Sequence, residues 1–130
     1  MAIKLSDFLE YTVNVPYSFN YLFDSDVTFA NGVKEAIQTL SGTSVLLDPS
    51  SGTIKVHTLT GVTTYTETLQ AGEYVTVMID DGAAYTVTWP TTVWVNNGGL
   101  APTLATAGYT VVSLWKVGTT LYGALVGDGS

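Results

Sequence analysis

An all-β fold follows from three features of the sequence. Apolar and hydroxyl residues alternate along most of residues 43–130, turn-forming residues interrupt that alternation roughly every ten positions, and Thr is a frequent polar partner in it. Thr is β-branched and suits a half-buried pleated surface. The architecture this predicts is an antiparallel β-sandwich or jelly-roll-like small barrel with an irregular N-terminal arm. The arm, with a short helix, is expected over residues 1–42 and the sandwich module over residues 43–130.

The elements can be taken in order. Ser6-Asp7-Phe8-Leu9-Glu10 suits the cap of one helical turn. Val33, Ile37 and Leu40 recur at helical spacing before Gly42, so a short helix is expected over Val33–Leu40. The other reading of this stretch is a strand continuing from Val27-Thr28-Phe29 across Asn31-Gly32. Val45-Leu46-Leu47 runs into Asp48-Pro49-Ser50-Ser51-Gly52, a strong turn signal. Thr53–Leu59 alternates with Ile54, Val56 and Thr58 on one face, and Thr63–Leu69 follows Gly61. After the turn Gln70-Ala71-Gly72-Glu73, Tyr74–Ile79 places Val75, Val77 and Ile79 on one face and Tyr74, Thr76 and Met78 on the other. Asp80-Asp81-Gly82 reads as a hairpin turn, because Asp-Gly tolerates positive φ. Tyr85, Val87 and Trp89 share a face until Pro90 ends the strand. Val93–Val95 is a short strand before the loop Asn96-Asn97-Gly98-Gly99. Thr110–Val117 and Leu121–Val126 form a last hairpin across Gly118-Thr119-Thr120.

Composition narrows the function. The 130 residues suit one domain with one modest core, and 46% hydrophobic residues can fill it. The net charge is −7, with Lys4, Lys34, Lys55 and Lys116 as the only basic residues besides one histidine. Four scattered lysines cannot make the basic patch that phosphate backbones or anionic membranes require, so no nucleic-acid partner is expected. No apolar run approaches the length of a membrane span, and the N-terminus lacks the basic head and apolar stretch of a signal peptide. The product is expected to be made in a cytoplasm and to stay soluble there, without membrane insertion. Cysteine is absent, so thiolate and disulfide chemistry is excluded.

Few residues invite a chemical role. His57 is the single histidine, and with no cysteine it has few partners for a metal site or a general base. Asp80-Asp81 and Asp24 with Asp26 supply hard oxygens but match no calcium-loop pattern, and turn chemistry accounts for the Asp-Gly. Glu67 and Glu73 flank a turn, where surface Glu is the default reading, against a glycosidase pair. No triad, phosphate loop or nucleotide fingerprint is present, so no catalytic, cofactor-binding or metal residues are assigned. Trp89, Trp94 and Trp115 are candidate stacking faces for sugars, weighed against packing or subunit contact. Trp89 shares its face with Val87 and is expected in the core. Trp94, Asn96 and Asn97 are the candidates for contact with a ligand or partner. Phe8, Tyr11, Tyr17, Phe19, Tyr21 and Phe23 crowd the arm and are candidate attachment or oligomer contacts.

One stretch carries a family resemblance. Val87-Thr88-Trp89-Pro90 is followed by Trp94, by Gly98-Gly99-Leu100-Ala101-Pro102-Thr103-Leu104, by an apolar strand from Val111 to Lys116, and by Val117-Gly118-Thr119-Thr120-Leu121-Tyr122-Gly123. In that order and spacing, residues 43–127 resemble a β module of tail fibres and other structural proteins of bacteriophages. Leu121 stands where that module often has Trp, and no fibre shaft accompanies it. The resemblance implies a non-enzymatic, homotrimeric virion protein at the particle surface. The short chain favours a capsid decoration (cement) protein bound to the major capsid protein. The alternative is a short tail-fibre or tail-tip protein, bound to tail proteins and recognising host glycans.

Overall fold

The computed structural model describes Asp26 and residues 28–129. Among these residues there are nine strands, all in the compact unit Lys34–Ser130. They are β1 (Ile37–Leu40), β2 (Ser44–Leu47), β3 (Ile54–Thr58), β4 (Thr63–Glu67), β5 (Tyr74–Asp80), β6 (Val87–Thr88), β7 (Val93–Trp94), β8 (Tyr109–Val117) and β9 (Thr120–Gly129). The all-β class is as expected. The arm aromatics Phe8, Tyr11, Tyr17, Phe19, Tyr21 and Phe23, the cap at Ser6–Glu10, and Asp24 lie outside the described residues.

The strands form a six-stranded sheet, ordered β1-β3-β5-β8-β9-β7, and a three-stranded sheet, ordered β2-β4-β6. Odd and even strands alternate between the sheets over the first three pairs. The chain therefore makes three coils, each giving one strand to each sheet, and every strand lies parallel to its counterpart one coil later. Antiparallel pairing, expected throughout, is confined to β5 with β8 and β8 with β9; β7 joins β9 in parallel. The physical reason lies in the connections. A parallel neighbour needs a crossover of about a dozen residues, and here the crossover is a strand of the other sheet with a corner at each end.

The corners fall where turn residues were seen. At the first, the Asp48 carboxylate accepts the Ser50 N–H at 2.9 Å, and Pro49–Ser51 makes one 3-10 turn. Gly52 closes it at φ +124°, where a Cβ would lie 2.7 Å from the Ala36 carbonyl oxygen. Asp80-Asp81-Gly82, expected as a hairpin, is another corner: Asp81 is left-handed (φ 57°) and the chain passes on to β6 in the other sheet. The last hairpin is as expected, with Val117 opposite Thr120 and a bulge between Val111 and Val112.

The helix expected over Val33–Leu40 is not formed. Ile37–Leu40 is the edge strand β1, and the Ile54 N–H donates to the Ala36 carbonyl at 3.4 Å. Pairing with β3 outweighs a weak helical periodicity, as tertiary context commonly does. The compact unit thus begins ahead of residue 43, where the composition changes.

One buried core draws residues from both sheets. Leu40, Val45, Leu47, Tyr65, Leu69, Val75, Val77, Ile79, Val112, Leu114 and Leu121 are buried in it. In β5 the inward residues are Val75, Val77 and Ile79, as the alternation predicts. In β3 the alternation holds with its polar side inward: Lys55 and His57 are fully buried, while Ile54 and Val56 face outward, half-buried. Parallel register explains this. Lys55 pairs with Val77 and His57 with Ile79, so they share the inward face of β5.

Candidate functional site

The residues that carry the resemblance meet at one end of the core. Tyr65, on β4, is buried between Thr64 and Thr66, which point out. Trp89, just beyond β6, stacks on it with ring centroids 5.2 Å apart and planes at 27°. Trp94, on β7, meets Trp89 edge to face at 5.5 Å and 77°. Such aromatic pairs contribute roughly 0.5–1.5 kcal/mol each beyond area burial. Gly123 of β9 lies beneath Trp94, and a Cβ there would come 2.7 Å from Trp94 Cζ3 and 2.8 Å from Thr92 Cγ2. The Tyr122-Gly123 pair thus leaves the space that Trp94 fills.

The Gly98–Leu104 segment returns over the same end. Pro102 is buried and Leu104 packs against the core, so close to Gly82 that a Cβ on Gly82 would lie 2.8 Å from Leu104 Cβ. Between this segment and β6 runs an open groove of about 340 Å³, lined among others by Tyr85, Val87, Trp89, Pro102, Leu104 and Thr106. It is mainly apolar, with backbone and hydroxyl groups at its rim.

The interior also holds a polar pair. His57 Nε2 lies 3.1 Å from the Gly42 carbonyl and Nδ1 lies 2.7 Å from the Tyr65 hydroxyl. A carbonyl only accepts, so Nε2 carries the proton and the Tyr65 hydroxyl donates to Nδ1. Burial pushes the imidazole below its ordinary value, with the Gly42 hydrogen bond acting the other way, and burial pushes the Tyr65 hydroxyl up. Both groups are therefore neutral at pH 7. The Lys55 ammonium donates to the Asp48 carbonyl at 2.6 Å and to Gln38 Oε1. Burial lowers its pKa against an opposing effect of the Asp48 charge. Among the described residues no buried side-chain polar atom lacks a partner.

The sequence-predicted residues can now be placed. Trp94 is half-buried between Trp89 and Gly123, because β7 is drawn into the sheet beside β9. Asn96 is exposed, but its side chain accepts the Leu125 N–H at 3.1 Å and donates to the Leu125 carbonyl at 2.9 Å. It thereby extends the β7–β9 contact two residues beyond the Trp94–Gly123 pair. Asn97, left-handed at φ 56°, donates to the Ala101 carbonyl at 3.1 Å and holds the loop. Trp89, expected in the core, is partly buried and packs against it, and Trp115 lies on the outer face of the large sheet, stacked with Tyr122.

The remaining carboxylates are engaged locally. Glu67 bridges the sheets through Lys116 at 2.8 Å and accepts the Leu69 N–H at 2.6 Å. Glu73 accepts the Gln70 N–H at 2.7 Å. Asp80 accepts the Asp81 N–H at 3.1 Å. Glu35 accepts from Thr53 and Tyr74, and these hydrogen bonds lower its pKa. Among the described residues no three His, Asp or Glu side chains come together as a metal site.

Sequence reasoning missed the His57–Tyr65 pair. Its signal was the Thr-Tyr-Thr alternation at 64–66, which turns Tyr65 inward toward the only histidine. Comparison with protein-family models, with curated proteins and with solved structures finds no match to this chain.

Proposed function

We propose that this chain is a non-enzymatic structural protein of a bacteriophage virion, carried on the particle surface as a homotrimeric capsid decoration protein. The observation that carries the reading is the convergence of its motif residues. Trp89, Trp94, Leu104 and Gly123 come from separate segments of the motif, yet they close one end of one core. The motif that suggests a phage module is thus a packing motif, of the kind a family of scaffolds shares. The body is read as a sandwich of the two sheets, coiled rather than jelly-rolled. The engagement of Glu67 and Glu73 in turns and in the bridge to Lys116 supports a structural role.

In this reading residues 1–33 attach the protein to the capsid, and the β body sits above. Binding only the assembled shell stabilises that state by mass action. A tail-fibre or tail-tip role is the second reading, favoured by the open groove along Tyr85, Trp89 and Pro102, whose apolar lining suits the C–H faces of host glycans.

Immunogold labelling of purified particles separates them. Label over the head is expected. Label confined to the tail would transfer the role to receptor binding, and particles free of the protein would end the virion reading. Removing residues 1–30 should abolish attachment and leave the body folded. Unfolding of that variant would assign the arm to the core instead.

A further inference from the structure

We propose that the hydrogen bond between His57 and Tyr65 is an acid-sensitive latch: protonation of His57 frees β4, β6 and the Trp89 stack, while β5, β8 and β9 stay paired. This device is internal to the β body and independent of where the protein sits on a particle.

The latch joins the two sheets. His57 is on β3 of the six-stranded sheet and Tyr65 on β4 of the three-stranded one. Both are fully buried, and their rings meet edge to face at 5.7 Å and 76°. Tyr65 in turn stacks on Trp89, which lines the open groove. A change at His57 therefore reaches the groove through two ring contacts.

An imidazolium does not fit this setting. Neutral His57 donates from Nε2 to the Gly42 carbonyl and accepts the Tyr65 hydroxyl at Nδ1. The protonated ring has two donors and no acceptor. Its Nδ1–H faces the Tyr65 oxygen, so the hydroxyl proton must turn away, and among the described residues the hydroxyl has no other partner. The neighbours supply no counter-charge. Along β3 the next inward side chain is Lys55, itself a cation, held by the Asp48 carbonyl and Gln38; the Asp48 carboxylate is engaged with Ser50. Along β4 the next is Glu67, already paired with Lys116 of β8. β1 sets Leu40 beside His57 and β5 sets Ile79 there, and the other inward residues of β2 and β5 are aliphatic. A buried charge in that company is costly. Opening relieves it, because water then solvates the imidazolium.

Opening takes the weakest side. β6 has two residues, where β8 has nine and β9 ten. Segments with few paired neighbours open at the lowest free energy. β6 and the strand it borders, β4, therefore let go first, and Trp89 goes with them.

The test is amide hydrogen exchange on the full chain between pH 7.5 and pH 5.5. The opened form takes up one proton at a group that ordinarily titrates near pH 6.5. Protection at the Thr63 and Thr64 amides, which donate to Thr86 and Thr43, should then fall about tenfold for each pH unit below about 6.5, until the imidazole protonates in place. The amides of β5 and β8 should keep their protection. Tryptophan fluorescence of Trp115→Phe, which reports on Trp89 and Trp94, should change over the same range with the β-sheet circular dichroism signal retained. In His57→Gln the protection of Thr63 and Thr64 should not vary with pH. Tyr65→Phe replaces that variant if it does not fold: without the hydroxyl, Thr63 and Thr64 should be less protected already at pH 7.5. Equal loss in β5 and β8 would overturn the proposal, as would constant protection in the unaltered protein, an unchanged pH response in folded His57→Gln, or undiminished protection in Tyr65→Phe.

Discussion

At the scale of single residues, the interior of this protein is specified by polar groups as much as by aliphatic ones. His57 is the clearest case, and it makes stability depend on pH in a defined window. Its folded pKa lies below the ordinary value of 6.5 because burial disfavours the imidazolium. In the unfolded chain it takes up a proton near pH 6.5. Between those two values the unfolded state binds more protons, so stability is full above about pH 6.5 and falls as pH drops toward the folded pKa. Glu35 and Asp48, whose pKa values hydrogen bonds lower, act on the other side of the scale. Their contribution is present above the ordinary carboxylate range and is lost only as pH falls through it. Thermal unfolding at pH 7.5 and pH 5.5 should therefore show a decline that His57→Gln, which cannot titrate, removes. An equal decline in the variant would refute the assignment. Gly123 supplies a second residue-scale prediction. Gly123→Ala places a methyl within 2.7–2.9 Å of Trp94, Thr92 and Leu114, and overpacking of this kind typically costs about 1–3 kcal/mol. Calorimetry should show a drop in Tm, and an unchanged Tm would mean that Trp94 can leave its site freely.

At the scale of elements, the sequence was informative about where strands lie and less so about how they pair. The spans of β5, β8 and β9, and the corner at Asp48–Gly52, were legible because alternation and turn chemistry are local. Parallel pairing was not, because period two is the same in parallel and antiparallel strands. Which face of β3 turns inward was not legible for a related reason. Ile54 and Val56 are more hydrophobic than Lys55 and His57, and only the long-range partners Gln38, Asp48, Gly42 and Tyr65 make the polar pair fit inside. The surroundings of the candidate contact residues were hidden in the same way: Trp94 and Asn96 stand beside a loop but are bound to β9, which follows about thirty positions later. β7 has only two residues, so the side-chain bonds of Asn96 are a large part of what holds this edge. Asn96→Ala removes both bonds to Leu125, and a net loss of about 1–2 kcal/mol is expected in denaturant unfolding. Faster hydrogen exchange at the Leu125 amide should accompany it. Full protection of that amide in the variant would show that β7 holds the edge alone.

At the scale of the whole molecule, two opposing quantities would govern the proposed association of copies. One is a charge of −7 on a chain with only four lysines, which makes copies repel. The other is the apolar side-chain surface left outside the core, such as Ile54, Val56, Met78 and Val111, whose burial is favourable and nearly independent of salt. The response of assembly to ionic strength then has a definite sign. Screening weakens the repulsion, since the Debye length shrinks from about 10 Å at 0.1 M to about 3 Å at 1 M, while the apolar contact is untouched. Assembly should accordingly tighten as sodium chloride is raised, and tighten again as pH approaches the pI near 4.1, down to the point where acid unfolding intervenes. Sedimentation velocity across a salt series would show this as a dissociation midpoint moving to lower protein concentration. An interface built on ion pairs, such as one formed by Lys34 with an acidic loop of a neighbour, would weaken instead. The direction of that shift therefore discriminates between an apolar and a charged surface as the place where copies would meet.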